Sequence, residues 1–512
     1  MWNVQALLLL GFLAIITGAE LQCIGSCCDK DEQCFKRAES GECAERPGWM
    51  LRNCPASCGL CPEQSKCPSV HTIEDGLRHR MTKNKFVNQF QMSQCAPLNQ
   101  PTDCKLNMCY HLKFRSFDGA CNNLHMSLLG AAYRPFKRLL SPNYDDRVNA
   151  ATGSLMRILP NPRDVTLHLL RSGRSPTVRP NSLFMQWGQF LAHDMTANGL
   201  DNKCQCGSND RIRCANIKST RERRCISFTR SIPACGTGIR GDPREQVNRN
   251  TPFIDASVVY GSDHTMVKSL RKGLSGFLRD MKATHDHKRG HSFPPLPSET
   301  TFSVGDDRSN VFFGLGAFHT IFLRLHNKIA KQLKSINPGW DGERLFQETR
   351  KIVGAYMQVI TYQEFLPALL GDDVDSLIPP YSGYKPTVDP AVANEFAGAA
   401  FRLHGLIMPS FPSLDHRWHK YEENQFSAMQ LNDSRVVDGG TDDLIRGMMS
   451  TPSRAPQTIS LQVTEKAFGG LVDLASINIQ RGRDHGFQPY NEYRRKVCNL
   501  PPVWSFSKWR GL

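Results

Sequence analysis

Beyond residue 16 the chain has no apolar stretch of the ~20 residues that a membrane-spanning helix requires. The one apolar run of note, Leu7 to Ile16, is ten residues long and is followed by Thr17-Gly18-Ala19. It is too short to span, and it ends in small residues that suit signal peptidase. Residues 1–19 are therefore predicted to be a signal peptide, although Met1 to Gln5 lacks the usual positive charge. A membrane span is excluded, and the mature protein is predicted to be secreted and extracellular. Internal repeats and heptads are absent, which excludes a solenoid or a coiled coil. Strand signals are few and short, which excludes an all-β domain.

Acidic side chains are also in deficit, with 48 Asp and Glu against 63 Lys and Arg and a formal net charge of +15. A basic surface suits anionic partners such as matrix polysaccharide. Nucleic acid is the competing partner, and the signal peptide argues against it. Cysteine, by contrast, is abundant: there are 19, eight of them between Cys23 and Cys61. Small domains use that density when their core is too thin to hold them, in an oxidising compartment.

Three regions separate by composition. Residues 27–61 form a cysteine-dense module with Gly and Pro turns. Residues 62–113 are polar and weakly patterned, with Cys67, Cys95, Cys104 and Cys109 scattered through them, and read as a linker or pro-region. Residues 114–512 show repeated helical periodicity, clearest over Ser182 to Asp194, Leu315 to Leu333, Glu343 to Leu370 and Ala391 to Leu403. The predicted fold class is a mainly α domain preceded by a small disulfide-rich module.

In the module, Cys28, Cys34, Cys43, Cys54, Cys58 and Cys61 follow the pattern C-D-x4-C, then G-E-C, then W-M-x3-C-P-x-S-C-G-x-C. Six cysteines allow fifteen pairings. The pattern resembles the ShKT family, and the resemblance implies Cys28–Cys61, Cys34–Cys54 and Cys43–Cys58. Toxins of that family block potassium channels through a Lys-Tyr pair, and the matching positions here are Gly48-Trp49. A docking or solubilising appendage is expected instead of a channel blocker.

The large region carries its chemistry in ordered motifs. In Trp187 to Asp194, W-G-Q-F-L-A-H-D, Gln189 and His193 lie one helical turn apart and can face one cavity, while Asp194 points elsewhere. Thr251, Phe253, Asp255 and Ser257 alternate along T-P-F-I-D-A-S-V-V-Y-G, so their oxygens can project to one side as hard ligands for calcium. Gly305 to Arg308, G-D-D-R, holds a permanently charged guanidinium. Ala400 to Pro409, A-F-R-L-H-G-L-I-M-P, precedes Q-R-G-R-D-H-G at 480–486 and Y-N-E-Y-R-R at 490–495. Together with R-S-F-D-G-A-C-N-N-L from Arg115, these motifs resemble the animal haem peroxidase family over about Arg115 to Pro501.

The resemblance implies haem b, calcium and hydrogen peroxide, with a role for each residue. His193 is the distal base, Arg308 stabilises negative charge as the O–O bond breaks, and Gln189 orients peroxide. His404 is the haem-iron ligand, Asn491 accepts its ring N–H, and Arg402 meets a haem propionate. Asp194 joins Thr251, Phe253, Asp255 and Ser257 in the calcium site.

Departures from the family matter too. The Asp and Glu that bind haem through esters fall at Ala192 and Val311, and a bonding methionine falls at Phe312, so the haem is expected to be held non-covalently. A less oxidising haem suits phenolic or protein-tyrosine donors, with extracellular matrix cross-linking as an outcome. Only Leu403 separates Arg402 from His404, where the family has two residues. The chain also ends soon after Pro501, so the domain is expected to be truncated, with Cys498 unpaired. The alternative is a non-catalytic secreted ShKT-containing binding protein whose truncated domain holds no haem. Asn432, in N-D-S, is the predicted glycosylation site.

Overall fold

Helices carry the architecture and short strands pin it. The computed structural model describes residues 23–24, 27–58 and 104–505, except 156–157, 201–203, 211, 220–221, 223, 240 and 284–289. The predicted signal peptide and almost all of the predicted linker lie outside the described residues. No described helix is long and apolar enough to cross a membrane.

The module is three short helices, α1 (Cys34–Glu39), α2 (Glu42–Glu45) and α3 (Pro47–Asn53). Disulfides Cys34–Cys54 and Cys43–Cys58 tie them around Met50. Cys28 is also disulfide-bonded; its expected partner Cys61 lies outside the described residues. Asp29 is buried and accepts hydrogen bonds from the amides of Ala56 and Ser57, which closes the module's C-terminal turn.

Among the helices that frame the large domain are α4 (Ser182–Met195), α5 (Phe313–Ile336), α6 (Gly342–Ile360) and α7 (Thr441–Ser450). Asn181 caps α4 by accepting the Leu183 amide, and Asp341 caps α6 by accepting that of Arg344, so both starts are written locally. Helix α4 is central. Phe190 is fully buried, stacked on Phe322 and edge-on to Phe318 and His319 of α5. Trp187 donates its indole N–H to Thr361 at the π-helical turn that follows α6. Met185, on another face of α4, belongs to a second apolar cluster with Phe312, Phe411, Phe426 and Val463. Full burial of each such ring contributes about 1.5–3 kcal/mol, so both faces of α4 are fixed by packing.

The strands among the described residues pair only in twos. In one ladder β1 (Thr177–Asn181) meets Pro452–Arg454 antiparallel, joining the start of α4 to the chain after α7. The predicted helix over Ala391 to Leu403 is a single π-helical turn, Phe396–Ala400. Its first part is held extended instead, because Ala393 bridges Lys137 and the Asn394 amide donates to the Lys137 carbonyl. Helix α8 (Leu474–Asp484) and α9 (Tyr490–Lys496) complete the proximal part of the chain.

Candidate active site

Two groups of side chains meet where α4 packs against the turn that carries His404. A Cβ at Gly188 of α4 would stand 3.5 Å from Leu403 Cδ1, so helix and turn are in contact. The turn is the 3-10 segment His404–Leu406. It is fixed by Gly405, where a Cβ would fall 2.4 Å from the Pro456 carbonyl oxygen, an approach open only to glycine.

The distal group forms around His193. Its Nδ1 lies 3.5 Å from Asp306 Oδ1 and has no hydrogen-bond partner among the described residues. Asp306 is buried and accepts two bonds from Arg308, Nε at 2.8 Å and Nη2 at 2.5 Å. Arg308 also donates to the Thr196 carbonyl at 2.9 Å. One carboxylate thus joins the histidine to the arginine. Burial and then the Arg308 charge push the His193 pKa down to about 3, so the ring is neutral at physiological pH. Burial alone would raise Asp306; the Arg308 charge and its hydrogen bonds overcome it and hold the carboxyl well below its usual range. Gln189 is half-buried one turn before His193.

The proximal group forms around His404. Asn478 of α8 places its amide Nδ2 2.9 Å from His404 Nδ1, while its own Oδ1 is buried without a partner. Turning the amide over brings that oxygen to the ring, where it accepts the Nδ1–H and frees Nε2 to bind a metal. This corrects the expectation for Asn491: its side chain instead exchanges two 2.9 Å hydrogen bonds with the backbone of Val503 and holds the segment after α9. Alanine at Asn478 is expected to weaken haem binding or turnover by roughly 10–100-fold, while alanine at Asn491 leaves both intact. Haem titration of the two variants followed by absorbance checks this.

The Arg402 carbonyl accepts the His404 amide at 2.9 Å, but its guanidinium has no hydrogen-bond partner among the described residues, and Nε is buried. Burial, then the neighbouring Arg481 and Arg308 charges, lower its pKa to about 10. A buried cation beside other cations calls for an anion between them. His404 and Arg402 are both half-buried. A haem fits this set: an imidazole with an oriented ring for the iron and an unpaired guanidinium for a propionate.

A third group lies at the end of α4. Asp194 Oδ1 accepts the Val258 amide at 2.9 Å and Oδ2 the Asp255 amide at 3.1 Å, and the Asp194 carbonyl accepts from Ser257 Oγ at 2.7 Å. Thr251 Oγ1 donates to Asp255 Oδ2 at 2.8 Å. Burial and the neighbouring Asp255 raise Asp194 well above its usual pKa. Ala256, between Asp255 and Ser257, sits at φ 66°, a strained left-handed conformation for alanine. Phe253 packs its ring under Arg115, so only its backbone oxygen could serve as a ligand. Two neighbouring buried carboxylates with hydroxyl and carbonyl oxygens fit a hard divalent cation.

Asp306 and Asn478 escaped the sequence reading, although both sat beside quoted motifs. Asp306 is inside G-D-D-R, and Asn478 is two residues ahead of Q-R-G-R-D-H-G.

A neutral buried histidine coupled to an arginine, and a second histidine with an amide-oriented ring, define the haem-peroxidase class of site. The comparisons name the family. The Animal haem peroxidase profile matches residues 114–512, and a ShK domain-like profile matches residues 26–61. "Peroxidase skpo-1" of Caenorhabditis elegans is 41% identical over 94% of this chain and 78% of that protein. "Peroxidase mlt-7" of the same organism is 33% identical over 95% and 78%. Among solved structures, Peroxidase A from Dictyostelium discoideum superposes with a TM-score of 0.68 at 26% identity, covering 78% of this chain and 81% of that one. The chain belongs to the animal haem peroxidase family, and is a haem peroxidase family enzyme with an N-terminal ShK module.

Proposed function

We propose that this enzyme is secreted, reduces hydrogen peroxide, and oxidises phenolic or protein-tyrosine donors, cross-linking extracellular matrix proteins. The observation that carries the reading is the Arg402 guanidinium beside His404, its buried Nε without a partner, next to the linked trio His193, Asp306 and Arg308. Haem b, when bound, supplies the electron transfer that cleaves peroxide and draws single electrons from the donor. His193 accepts a peroxide proton and returns it to the departing oxygen. Arg308, aimed by Asp306, stabilises the negative charge that develops on that oxygen, and Gln189 orients the peroxide. His404 would hold the iron, with Asn478 fixing its ring. Arg402 faces a propionate. Calcium would be held by Asp194, Asp255, the hydroxyls of Thr251 and Ser257 and the carbonyl of Phe253, and would tie the loop to the helix that carries His193. Ala192, Val311 and Phe312 offer no ester or sulfonium link, so the haem is non-covalent. Asn432 is half-buried, with its side-chain oxygen accepting from Ser434, and is proposed as the glycan acceptor.

The test is the absorption spectrum of the secreted chain supplied with haem and calcium. A Soret band is expected, removable by denaturing extraction, and largely lost in His404→Ala. With peroxide and a tyrosine peptide, dityrosine fluorescence should grow. A soluble, folded wild type without a Soret band would overturn the reading in favour of a non-catalytic binding protein.

A further inference from the structure

A cavity of about 760 Å3 opens between the small module and α6. Its volume falls in the range of about 300–1,000 Å3 typical of sites that hold a discrete ligand. Six cations line it: Arg46 and Arg52 from the module, and Lys113, Arg115, Arg350 and Lys351 from the domain. Among the described residues the only carboxylate in the lining is Asp255, which is turned to Thr251 and Ser257. Lys351 pairs with Glu348 at 2.8 Å, and Arg46 is 4.0 Å from Glu42. Arg52, Lys113 and Arg115 have no carboxylate partner among the described residues; Arg115 rests over the Phe253 ring at 4.7 Å. Arg350 is spent on carbonyls, donating to those of Arg115 and Ser116. Three of the six cations, Arg52, Lys113 and Arg115, thus leave positive charge at the mouth that no carboxylate among the described residues neutralises.

Aromatic side chains line the cavity beside these cations. Trp49 comes from the module, and Tyr381 and Tyr384, 86% and 43% exposed, come from the loop before the proximal turn. Side-chain amides of Asn122, Gln347 and Gln358 also reach the lining. Guanidinium groups recognise sulfate and carboxylate through paired N–H donors, and aromatic faces accept the C–H face of a sugar ring. A peptide is served less well. None of the lining residues belongs to a strand, so the wall offers no edge for strand addition, and the cations interrupt any apolar groove for a helix.

We infer that this cavity is a binding site for an acidic, sulfated polysaccharide chain, gripped jointly by the ShK module and the peroxidase domain. The inference rests on the extracellular placement proposed above and is independent of the peroxidase chemistry. It gives the module a task, holding the enzyme on an anionic matrix, and it concentrates the diffuse charge of +15 into one address.

The test uses the full secreted chain and size-defined heparin oligosaccharides as the probe, with binding followed by calorimetry at physiological salt. The cavity variant is Arg52→Glu with Lys113→Glu. The comparator is Lys328→Glu with Lys331→Glu, which makes the same change in charge on exposed residues of α5. The expected result is a loss of affinity of about tenfold or more in the cavity variant and less than about twofold in the comparator. Polyglutamate of equal charge should fail to displace heparin. Equal losses in the two variants would overturn the inference, because diffuse charge would then explain binding. Displacement by polyglutamate as effective as heparin itself would overturn it in favour of an acidic polypeptide, and no measurable heparin binding by the wild type would overturn it outright. Turnover of a small phenol should be unchanged in the cavity variant, so this inference and the catalytic reading fail separately.

Discussion

His193→Ala is expected to slow peroxide-dependent oxidation by roughly 10²–10⁴-fold, the range typical of a lost general acid–base group, while the Soret band persists. The histidine has no structural task that alanine would forfeit: its Nδ1 makes no hydrogen bond, and α4 is anchored by Trp187 and Phe190. The neighbouring Asp306→Asn should cost less. It keeps the volume but removes the charge that holds Arg308 by two hydrogen bonds and faces the imidazole at 3.5 Å. Because His193, Asp306 and Arg308 act as one unit, the double variant should be little slower than His193→Ala alone. Stopped-flow mixing with peroxide, followed at the Soret maximum, separates the proton-transfer step from donor oxidation. Retention of the wild-type rate in His193→Ala would remove the histidine from the mechanism, and simultaneous loss of the Soret band would make its role structural.

What the sequence disclosed, and what it hid, divides along physical lines. Helices such as α4 and α5 were legible because an apolar stripe of period 3.6 is a local property, and Asn181 marks the start of α4 within a residue. The segment before His404 was misjudged because its conformation is set from far away. Its pairing to Lys137 and the Asn394 side-chain bonds to Gln246 and His485 have no signature in the local pattern. The same holds for the amide that orients His404. Asn491 and Asn478 are equally good amides in sequence, and only the run of α8 past the His404 turn decides which one reaches the ring. Asp306 was visible but silent, since a carboxylate two residues before an arginine is commonly a solvated neighbour; burial converts it into the link between base and guanidinium.

Arg163→Met is expected to destabilise the domain by about 3–5 kcal/mol, the usual cost of removing one partner from a buried ion pair. Arg163 is fully buried and holds three carboxylates: Glu222 at 2.8 Å, Glu465 at 2.5 Å and Asp473 at 2.7 Å. The penalty comes chiefly from Asp473, which is itself fully buried and would be left as an unpaired charge. Asp473 also caps α8, accepting the amides of Ala475 and Ser476. Losing Arg163 therefore loosens the start of the helix that carries Asn478, and with it the orientation of His404. The variant should unfold at lower temperature and release haem faster even where it remains folded. Adding Asp473→Asn should recover part of the loss, because the amide still caps the helix but no longer buries a charge. The effect should also depend on pH. The hydrogen bond from Arg163 depresses the Glu222 pKa, so its contribution is complete above the ordinary glutamate value of about 4.3 and fades as pH falls through the depressed one. Thermal melts at pH 7 and pH 3 should therefore show a smaller gap between wild type and Arg163→Met at the lower pH. A gap that does not change with pH would place the loss in packing of the arginine stem, and unaltered stability at pH 7 would show that the network contributes nothing net.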